Sequence, residues 1–347
     1  MLSNPPVHPI FKKRRVAVCG GTRITRENAL FCHYLGQELA QEENIIIMTG
    51  GFKFFTTDPG NPSGDYSVIQ GISAYFQGKI PEGKVETLHP DPIFENHHTE
   101  RFSEGTSIIL KNKTLQARRF SLVNRSDVIV TIEGQKGTKE IIDLALAIEK
   151  PCLPVPFSRG LSFQRWRENR EVICEWFDIS GQQCRELESI TLEGKTTEQI
   201  HGYARLVKHL ILEKLRRKCF IIMPFDRKYN EFFDYIKRVL HEEGFEPIRT
   251  DEITFVGNIV DMIRQGLFSS DCTIAEITDA RPNVMYEIGL AHAYGKPVIM
   301  FAKRESISDL PFDIKNERIF FYEDDFTGLD TILKDVLNEI KRNTNVV

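Results

Sequence analysis

Short apolar runs alternate with helical patterns in the first half of the chain. Strands are indicated at 15–19, 44–48 and 127–132, and the segment 29–41 has the apolar spacing of a helix. The apolar runs are continuous rather than alternating, which is typical of strands that helices cover on both faces. The pattern therefore predicts a parallel α/β domain in this half of the chain.

The same alternation returns in the second half. An apolar strand at 219–225 is followed by a helical pattern, and a buried strand at 271–278 leads through the tight loop 279–283 into a helix at 284–294. We therefore predict an α/β protein with two Rossmann-like parallel-sheet domains joined by a helical connector. The predicted boundaries are 1–156 for the N-terminal domain, 157–217 for the connector and 218–347 for the C-terminal domain. Within the connector, the spacing of Thr196 and Gln199 predicts a capping box at a helix start.

Composition and charge restrict the partners. The chain has 347 residues, of which 41% are hydrophobic, and this is enough for two separate cores. Its formal net charge is −4, with acidic and basic residues interspersed. This balance favours neither nucleic acid nor an acidic membrane surface, so a small polar ligand is expected.

Cysteine and histidine usage gives no sign of a disulfide framework or a metal site. The seven cysteines are odd in number and lack CxxC spacing, so reduced thiols are expected. The adjacent His97 and His98 are interpreted as loop histidines, because no acidic or thiol partner has ligand spacing. We expect no metal and no other cofactor. Since no apolar stretch fits an export signal or a membrane span, a cytoplasmic protein without a membrane partner is expected.

A glutamate follows the strand at 271–278, at the place where open α/β sheets bind ligands. Such ligands lie beyond the carboxyl ends of the strands, against helix N-termini. We expect Glu287 in the first turn of the next helix, beside the apolar Val284 and Ile288, with its carboxylate partly withdrawn from water. It could act as a nucleophile or general base, with Asp279 as the nearest second acid. In the alternative interpretation, Asp279 caps the turn and Glu287 complements the helix dipole.

Glycines follow three strands of the N-terminal domain. They lie in the segments 20–23, 50–51 and 134–138, where glycine lets backbone N–H groups approach an anion. None of these segments completes the GxGxxG motif. Three glycine turns at strand ends nevertheless indicate a nucleotide pocket.

Together with an arginine pair and a glutamate, these turns resemble the Lonely Guy superfamily over residues 16–156. Enzymes of that superfamily release the base from nucleoside monophosphates, and relatives sense nucleotides in prokaryotic defence systems. The segment 132–140 departs from the superfamily's PGGxGTxxE motif, because it lacks the leading Pro-Gly and contains Lys136. The resemblance implies that a nucleotide effector is bound by Gly20, Gly21, Thr22, Arg23, Gly50, Gly51, Arg118, Arg119, Gly137, Thr138 and Glu140.

Residues 219–321 resemble the nucleoside deoxyribosyltransferase and nucleotide N-glycosidase group, which grades into the TIR-like NAD hydrolases. The resemblance is carried by the segments 222–225, 249–251, 283–289 and 295–297 and by Asp271 and Asp279. It implies that Glu287 is the catalytic glutamate and that Asp271 or Asp279 binds the sugar. It also implies that the substrate is bound by Met223, Pro224, Phe225, Arg249, Asp251 and Asn283.

These expectations combine into one hypothesis on function. A nucleotide signal bound in the N-terminal domain gates a C-terminal N-glycosidase that acts on NAD or a nucleoside monophosphate, in a protein expected to be a homo-oligomer. The resemblance further suggests a role in prokaryotic antiphage defence. Cleavage of an N-glycosidic bond passes through an oxocarbenium-like sugar, which a carboxylate can trap or stabilise. Two alternatives stay open: the N-terminal domain is itself a phosphoribohydrolase, or the protein is a non-catalytic nucleotide-binding scaffold.

Overall fold

A computed structural model describes residues 13–55, 58, 60–94, 99–102, 104–250, 258–304, 312–315, 317–323, 326 and 328–342. The chain divides between Leu215 and Arg216 into two compact units. The first unit comprises Lys13–Leu215, and the second includes Arg216 and the described residues that follow it. Among the described helices, none is both long enough and apolar enough to cross a membrane.

The first unit is built around a parallel sheet. Its strands are β1 (Arg14–Gly20), β2 (Ile45–Thr49), β3 (Phe52–Phe55), β4 (Val85–Pro90), β5 (Thr99–Arg101), β6 (Thr106–Leu110), β7 (Val128–Ile132) and β8 (Cys152–Pro154). The sheet has the order β6-β4-β2-β1-β7-β8 with parallel neighbours, while β3 and β5 form a small antiparallel ladder. After β1, the chain adds β2, β4 and β6 in turn on one side of β1, and it then adds β7 and β8 on the other side. The switch point of the sheet therefore lies between β1 and β7.

Helices cover both faces of this sheet. They are α1 (Arg26–Ala40), α2 (Gly64–Tyr75), α3 (Leu115–Arg125), α4 (Lys136–Ala147), α5 (Gly160–Glu168), α6 (Arg170–Trp176), α7 (Gly181–Ser189) and α8 (Thr197–Leu215). Successive side chains of β1 alternate between the faces. Val16 and Val18 pack in the core with α1, α2 and α8, whereas Ala17 and Cys19 pack with α3 and α4. The predicted parallel α/β architecture is confirmed.

The segment predicted as a connector packs into the core of the first unit. Trp166 of α5 is fully buried, and its indole N–H donates to Glu188 at 2.8 Å. Burying a large apolar side chain stabilises a fold by roughly 1.5–3 kcal/mol. Val207 of α8 lies in the same core. The predicted capping box is confirmed, because the side chains of Thr196 and Gln199 each accept the other residue's backbone N–H.

One pair of cysteines differs from the expectation of reduced thiols. Cys174 and Cys184 are joined by a disulfide that links α6 to α7. The reason is tertiary, because the turn between these two short helices brings residues that are 10 positions apart into contact. The remaining cysteines are buried free thiols.

The second unit is a smaller parallel α/β sheet. Its strands are β9 (Arg217–Ile222), β10 (Phe245–Ile248), β11 (Cys272–Glu276), β12 (Val298–Lys303) and β13 (Ile319–Tyr322), in the order β10-β9-β11-β12-β13. All the neighbouring strands in this order are parallel. Its helices are α9 (Asn230–Glu242), α10 (Ile259–Ser269), α11 (Pro282–Ala293), α12 (Phe312–Lys315) and α13 (Leu329–Arg342).

This second sheet is also covered on both faces. Ile221 packs in a core with α9 and α13, whereas Phe220 and Ile222 pack in another with α10 and α11. The chain runs from β9 to β10 on one side and later to β11 on the other. The switch point therefore lies between β9 and β11, and the prediction of two Rossmann-like parallel sheets is confirmed.

Candidate functional site

A cavity of about 180 Å³ lies beyond the carboxyl ends of β1 and β2 in the first unit. It is at the switch point of the sheet, where ligands of open α/β sheets bind. Segments that are distant in sequence meet there, because parallel strands end at the same edge. Among the predicted effector residues, the cavity is lined by Gly20, Thr22, Gly50, Arg118, Arg119, Gly137 and Thr138.

Asp65, which the sequence analysis did not single out, holds two of the glycine turns together. It lies in the first turn of α2 and is 6% exposed. Its carboxylate accepts hydrogen bonds from the backbone N–H of Gly20 at 2.9 Å and of Gly50 at 3.0 Å. Burial raises the pKa of Asp65, while these two hydrogen bonds and the charge of Arg118 oppose the rise. Ser63 could have indicated this residue, because it caps α2 and so places Asp65 at a helix start.

Three backbone N–H groups of the glycine turns after β1 and β2 are engaged inside the protein. Gly20 and Gly50 donate to Asp65, and Gly21 donates to the carbonyl oxygen of Ile132 at 3.1 Å. These three N–H groups therefore already have acceptors inside the protein, and two of them donate to the same carboxylate.

Close packing explains why glycine is present at these turns. A Cβ atom on Gly20 would lie 2.2 Å from the Cα atom of Gly64, and one on Gly50 would lie 2.1 Å from Nη1 of Arg118. Gly51 has a positive φ of 72°, which favours glycine, and it does not line the cavity. Gly20 and Gly50 shape the cavity, while their own N–H groups donate to Asp65.

Arg118 is a buried cation in the wall of the cavity. It is 9% exposed, and its Nη1 donates to the carbonyl oxygen of Gly50 at 2.9 Å. Burial lowers its pKa to about 10, although the charge of Asp65 opposes this effect. Its Nε has no hydrogen-bond partner among the described residues. Since the guanidinium remains charged at neutral pH, a desolvated cation lines the cavity.

The N-terminus of α4 adds a second positive end to the cavity. The cap residue Gln135 makes no side-chain cap hydrogen bond, and Gly137 and Thr138 of the first turn line the cavity. Unpaired N–H groups and the helix dipole attract anions at such an end. Arg119 lies against this turn, since a Cβ atom on Gly137 would be 2.9 Å from its Nη2. An ion pair with Glu140 holds Arg119 there.

Four of the predicted effector residues do not line the cavity, namely Gly21, Arg23, Gly51 and Glu140. Arg23 has a side chain that is 55% exposed and forms an ion pair with Asp58 at 3.9 Å. An exposed pair of this kind contributes little to stability. Gly21 instead packs against the backbone of Gly134, where a Cβ atom would come within 2.9 Å of the backbone nitrogen.

The second unit has an open cavity of about 450 Å³ at the switch point of its own sheet. The loop after β9 and the start of α11 form it. Three of its lining residues were predicted to bind substrate, namely Pro224, Phe225 and Asn283. Three charged residues also line it, namely Asp226 and Arg227 in the loop after Phe225, where the resemblance implied a contact with ribose or phosphate, and Arg281, which was not predicted.

Asp279 is the centre of an ion-pair cluster beside this cavity. Its carboxylate contacts Lys228 at 2.9 Å and Arg281 at 3.2 Å, and Arg281 also contacts Asp226 at 3.2 Å. Burial acts to raise the pKa of Asp279, but hydrogen bonds from Lys228 and Arg281 outweigh it and the pKa is lowered. Asp279 is therefore an ionised carboxylate that links the loops after β9 and β11.

Met223 and Arg249, which were also predicted to bind substrate, do not line this cavity. Met223 is buried, and its Sδ atom is 3.7 Å from Nη1 of Arg249. The Arg249 guanidinium also lies 4.0 Å from the ring centroid of Phe233, which is a cation–π contact. Asp251 lies outside the described residues.

Glu287 is in the second turn of α11, rather than in the first turn as predicted, because the helix begins at Pro282. It is 8% exposed and shares its helix face with the buried Val284 and Ile288, as the sequence predicted. Burial raises its pKa from the ordinary value of 4.5 to about 7. Glu287 does not line the cavity that contains Phe225.

A second buried glutamate, missed by the sequence analysis, ends β11. One oxygen of Glu276 accepts hydrogen bonds from the backbone and hydroxyl of Thr278 and, at 3.0 Å, from the hydroxyl of Tyr322. The hydroxyl of Thr278 in turn accepts the backbone N–H of Lys303 at 2.9 Å. Burial raises the pKa of Glu276, and these hydrogen bonds oppose the rise. Glu276 therefore ties the ends of β11, β12 and β13 together.

Asp271 does not belong to the candidate site. It precedes β11, and its carboxylate accepts the backbone N–H of Lys218 at 2.9 Å, at the amino ends of the strands. The equivalent Asp127 accepts the N–H of Arg15 at 2.6 Å in the first unit. The prediction of a sugar-binding role for Asp271 is therefore wrong, since ligands of this fold bind at the opposite edge.

The described residues contain no group of three or more histidine, cysteine, aspartate or glutamate side chains that could hold a metal ion. His97 and His98 lie outside the part of the chain that the structure describes.

The fold and its cavities define a class of α/β protein in which each unit has a crevice at the switch point of a parallel sheet. No family model and no curated protein matches the chain. Among solved structures, the protein TM1055 is 22% identical over 46% of this chain and 88% of its own, with a TM-score of 0.34. The molybdenum cofactor binding protein from Rippkaea orientalis is 20% identical over 58% of this chain and 98% of its own, with a TM-score of 0.34. The molybdenum cofactor carrier protein from Chlamydomonas reinhardtii is 18% identical over 41% of this chain and 75% of its own, with a TM-score of 0.29.

Proposed function

We propose that the first unit binds a phosphorylated nucleotide in its cavity. The observation that supports this is the position of Arg118 and Arg119 beside the uncapped N-terminus of α4. Guanidinium groups and helix N–H groups form charge-assisted hydrogen bonds with phosphate oxygens. Arg118 is already desolvated in the free protein, so its interaction with an anion is screened little by water.

Calorimetric titration of the full chain with nucleoside monophosphates tests this proposal. We expect the monophosphates to bind at least about tenfold more tightly than the nucleosides that lack the phosphate, since charged hydrogen bonds are lost. The Arg118→Ala, Arg119→Ala double variant should lose this preference. Arg125→Ala, an exposed arginine of the same helix α3, is the matched control and should retain it. Equal affinity for nucleosides and monophosphates would contradict the proposal.

A second candidate function is cleavage of an N-glycosidic bond by the second unit, with Glu287 as the essential carboxylate. The specific observation in its favour is the protonation chemistry of Glu287, whose pKa of about 7 lies near working pH. A partly desolvated carboxylate has the negative charge and the low screening that an oxocarbenium-like centre requires. The substrate in this proposal is NAD or a nucleoside monophosphate.

Release of free base, followed by mass spectrometry on a panel of nucleotides, tests the catalytic proposal. Glu287→Gln should abolish release while the protein stays folded. Because the charged form is needed, the rate of the parent should rise as the pH passes through about 7. A Gln variant within a few-fold of the parent would contradict the assignment.

The two functions combine into a nucleotide-gated N-glycosidase. Effector binding in the first unit would raise the rate in the second by favouring one of two states, because an effector that binds both states equally shifts nothing. The alternatives give different results in the same assay. If the first unit were the phosphoribohydrolase, the double arginine variant would lose base release and Glu287→Gln would keep it. A scaffold would bind nucleotides and release no base.

A further inference from the structure

The cavity of the first unit contains an anion as well as cations. Asp65 lines it together with Arg118 and Arg119. At about 180 Å³ the cavity is smaller than the roughly 300–1,000 Å³ of cavities that enclose a drug-sized ligand. The part of the ligand that fills it must therefore be compact, and it must be compatible with both signs of charge.

Among the described residues, the two backbone donors to Asp65 leave part of its acceptor capacity unused. An ionised carboxylate has about four acceptor positions on its two oxygens. The N–H groups of Gly20 and Gly50 each use one position on a different oxygen. The remaining positions suit a donor, because a second anionic group beside this carboxylate would be repelled. A hydroxyl group supplies such a donor without adding charge.

We propose that this cavity is a phosphosugar site, in which Arg118, Arg119 and the start of α4 hold the phosphate and Asp65 accepts a hydrogen bond from a sugar hydroxyl. The proposal rests on the proposed nucleotide binding and deepens it. The phosphate and its sugar occupy the cavity, and any base lies outside it. The site therefore selects phosphorylated sugars that carry a free ring hydroxyl over phosphates without one.

Three probes test this selection on the unmodified full chain by calorimetric titration. They are ribose 5-phosphate, tetrahydrofurfuryl phosphate, which has the same ring without hydroxyls, and inorganic phosphate. We expect ribose 5-phosphate to bind about tenfold or more tightly than the ring analogue, because a hydrogen bond to a charged acceptor is lost in the analogue. Equal affinity for these two would overturn the hydroxyl contact while leaving the phosphate site intact. If none of the three binds, the proposed nucleotide binding fails as well.

A pair of variants separates the hydroxyl contact from a general structural effect. Asp65→Asn should reduce the affinity ratio between ribose 5-phosphate and its ring analogue towards one, whereas a merely loosened cavity would weaken both probes alike. Asp127→Asn is the matched control, because Asp127 also accepts a backbone N–H but at the opposite edge of the same sheet. Its ratio should equal that of the parent. An unchanged ratio in Asp65→Asn would overturn the proposal, and if that variant does not fold, the probe series on the parent still decides.

Discussion

Glu287→Gln is expected to stabilise the second unit at neutral and alkaline pH. Burial raises the pKa of this carboxyl from 4.5 to about 7 in the folded protein. Below about pH 4.5 the carboxyl is protonated in both the folded and the unfolded chain, so its ionisation does not lower the free energy of unfolding. Between pH 4.5 and 7 the folded state binds more protons than the unfolded state, so the free energy of unfolding falls as pH rises. Above about pH 7 both states are ionised and the full cost remains.

The size of this cost follows from the two pKa values. One pH unit corresponds to about 1.4 kcal/mol, so the interval from 4.5 to about 7 corresponds to about 3 kcal/mol. Glutamine is nearly isosteric with glutamate and neutral at every pH, so the variant avoids this loss. We therefore expect the variant to exceed the parent by up to about 3 kcal/mol at pH 8, with most of the difference gone near pH 5. A more stable but inactive variant is the outcome expected of a residue retained for activity.

The assay must report on the second unit alone. Both tryptophans of the chain, Trp166 and Trp176, belong to the first unit, so intrinsic tryptophan fluorescence would follow the wrong transition. Hydrogen exchange of the backbone amides in β11 and β12, measured from pH 5 to pH 8, reports on the required unit.

Glu246→Gln, at an exposed position of β10, is the control and should leave the pH dependence of stability as in the parent. The reasoning is refuted if Glu287→Gln is no more stable than the parent at pH 8. It is also refuted if the difference between the two proteins is the same at pH 5 and pH 8.

Three further predictions concern the two sites and the packing between β1 and α2. The Arg118→Ala, Arg119→Ala double variant should lose stimulation of base release by added nucleotide, which initial rates with and without effector would measure; normal stimulation would contradict the sensor role. Asp279→Asn should lower turnover less than Glu287→Gln, because its charge positions the loops beside the cavity, and unchanged kinetics would remove it from the site. Gly64→Ala would place a Cβ atom 2.4 Å from a backbone atom of β1 and should cost roughly 1–3 kcal/mol of stability in denaturant unfolding, whereas a neutral effect would show that the backbone there can move.

Much of the candidate site could be predicted from the sequence, because apolar runs and the turn residues after them show where strands end. Glycine turns after β1 and β2 and the arginine pair of α3 could be assigned to one sheet edge, and the structure brings them into one cavity. Asp65 was missed because its role in the site depends on hydrogen bonds to residues that are distant in sequence. Gly20 is 45 positions away and Gly50 is 15 positions away. Asp271 was misassigned because an aspartate next to a strand can lie at either edge. Its hydrogen bond to the backbone of Lys218 decides for the amino edge.

The sequence by itself determined the two parallel sheets and the helices that cover them, because the period of apolar residues is a local property that secondary structure follows directly. It also determined the burial of Glu287, through the apolar neighbours on one helix face. Only the tertiary structure decided that the glycine N–H groups are satisfied by Asp65, that the connector belongs to the first core, and that Glu276 joins three strand ends. Each of these depends on which groups meet across the sheet edges and helix faces, and a buried polar group takes whichever partner the fold places within hydrogen-bond distance.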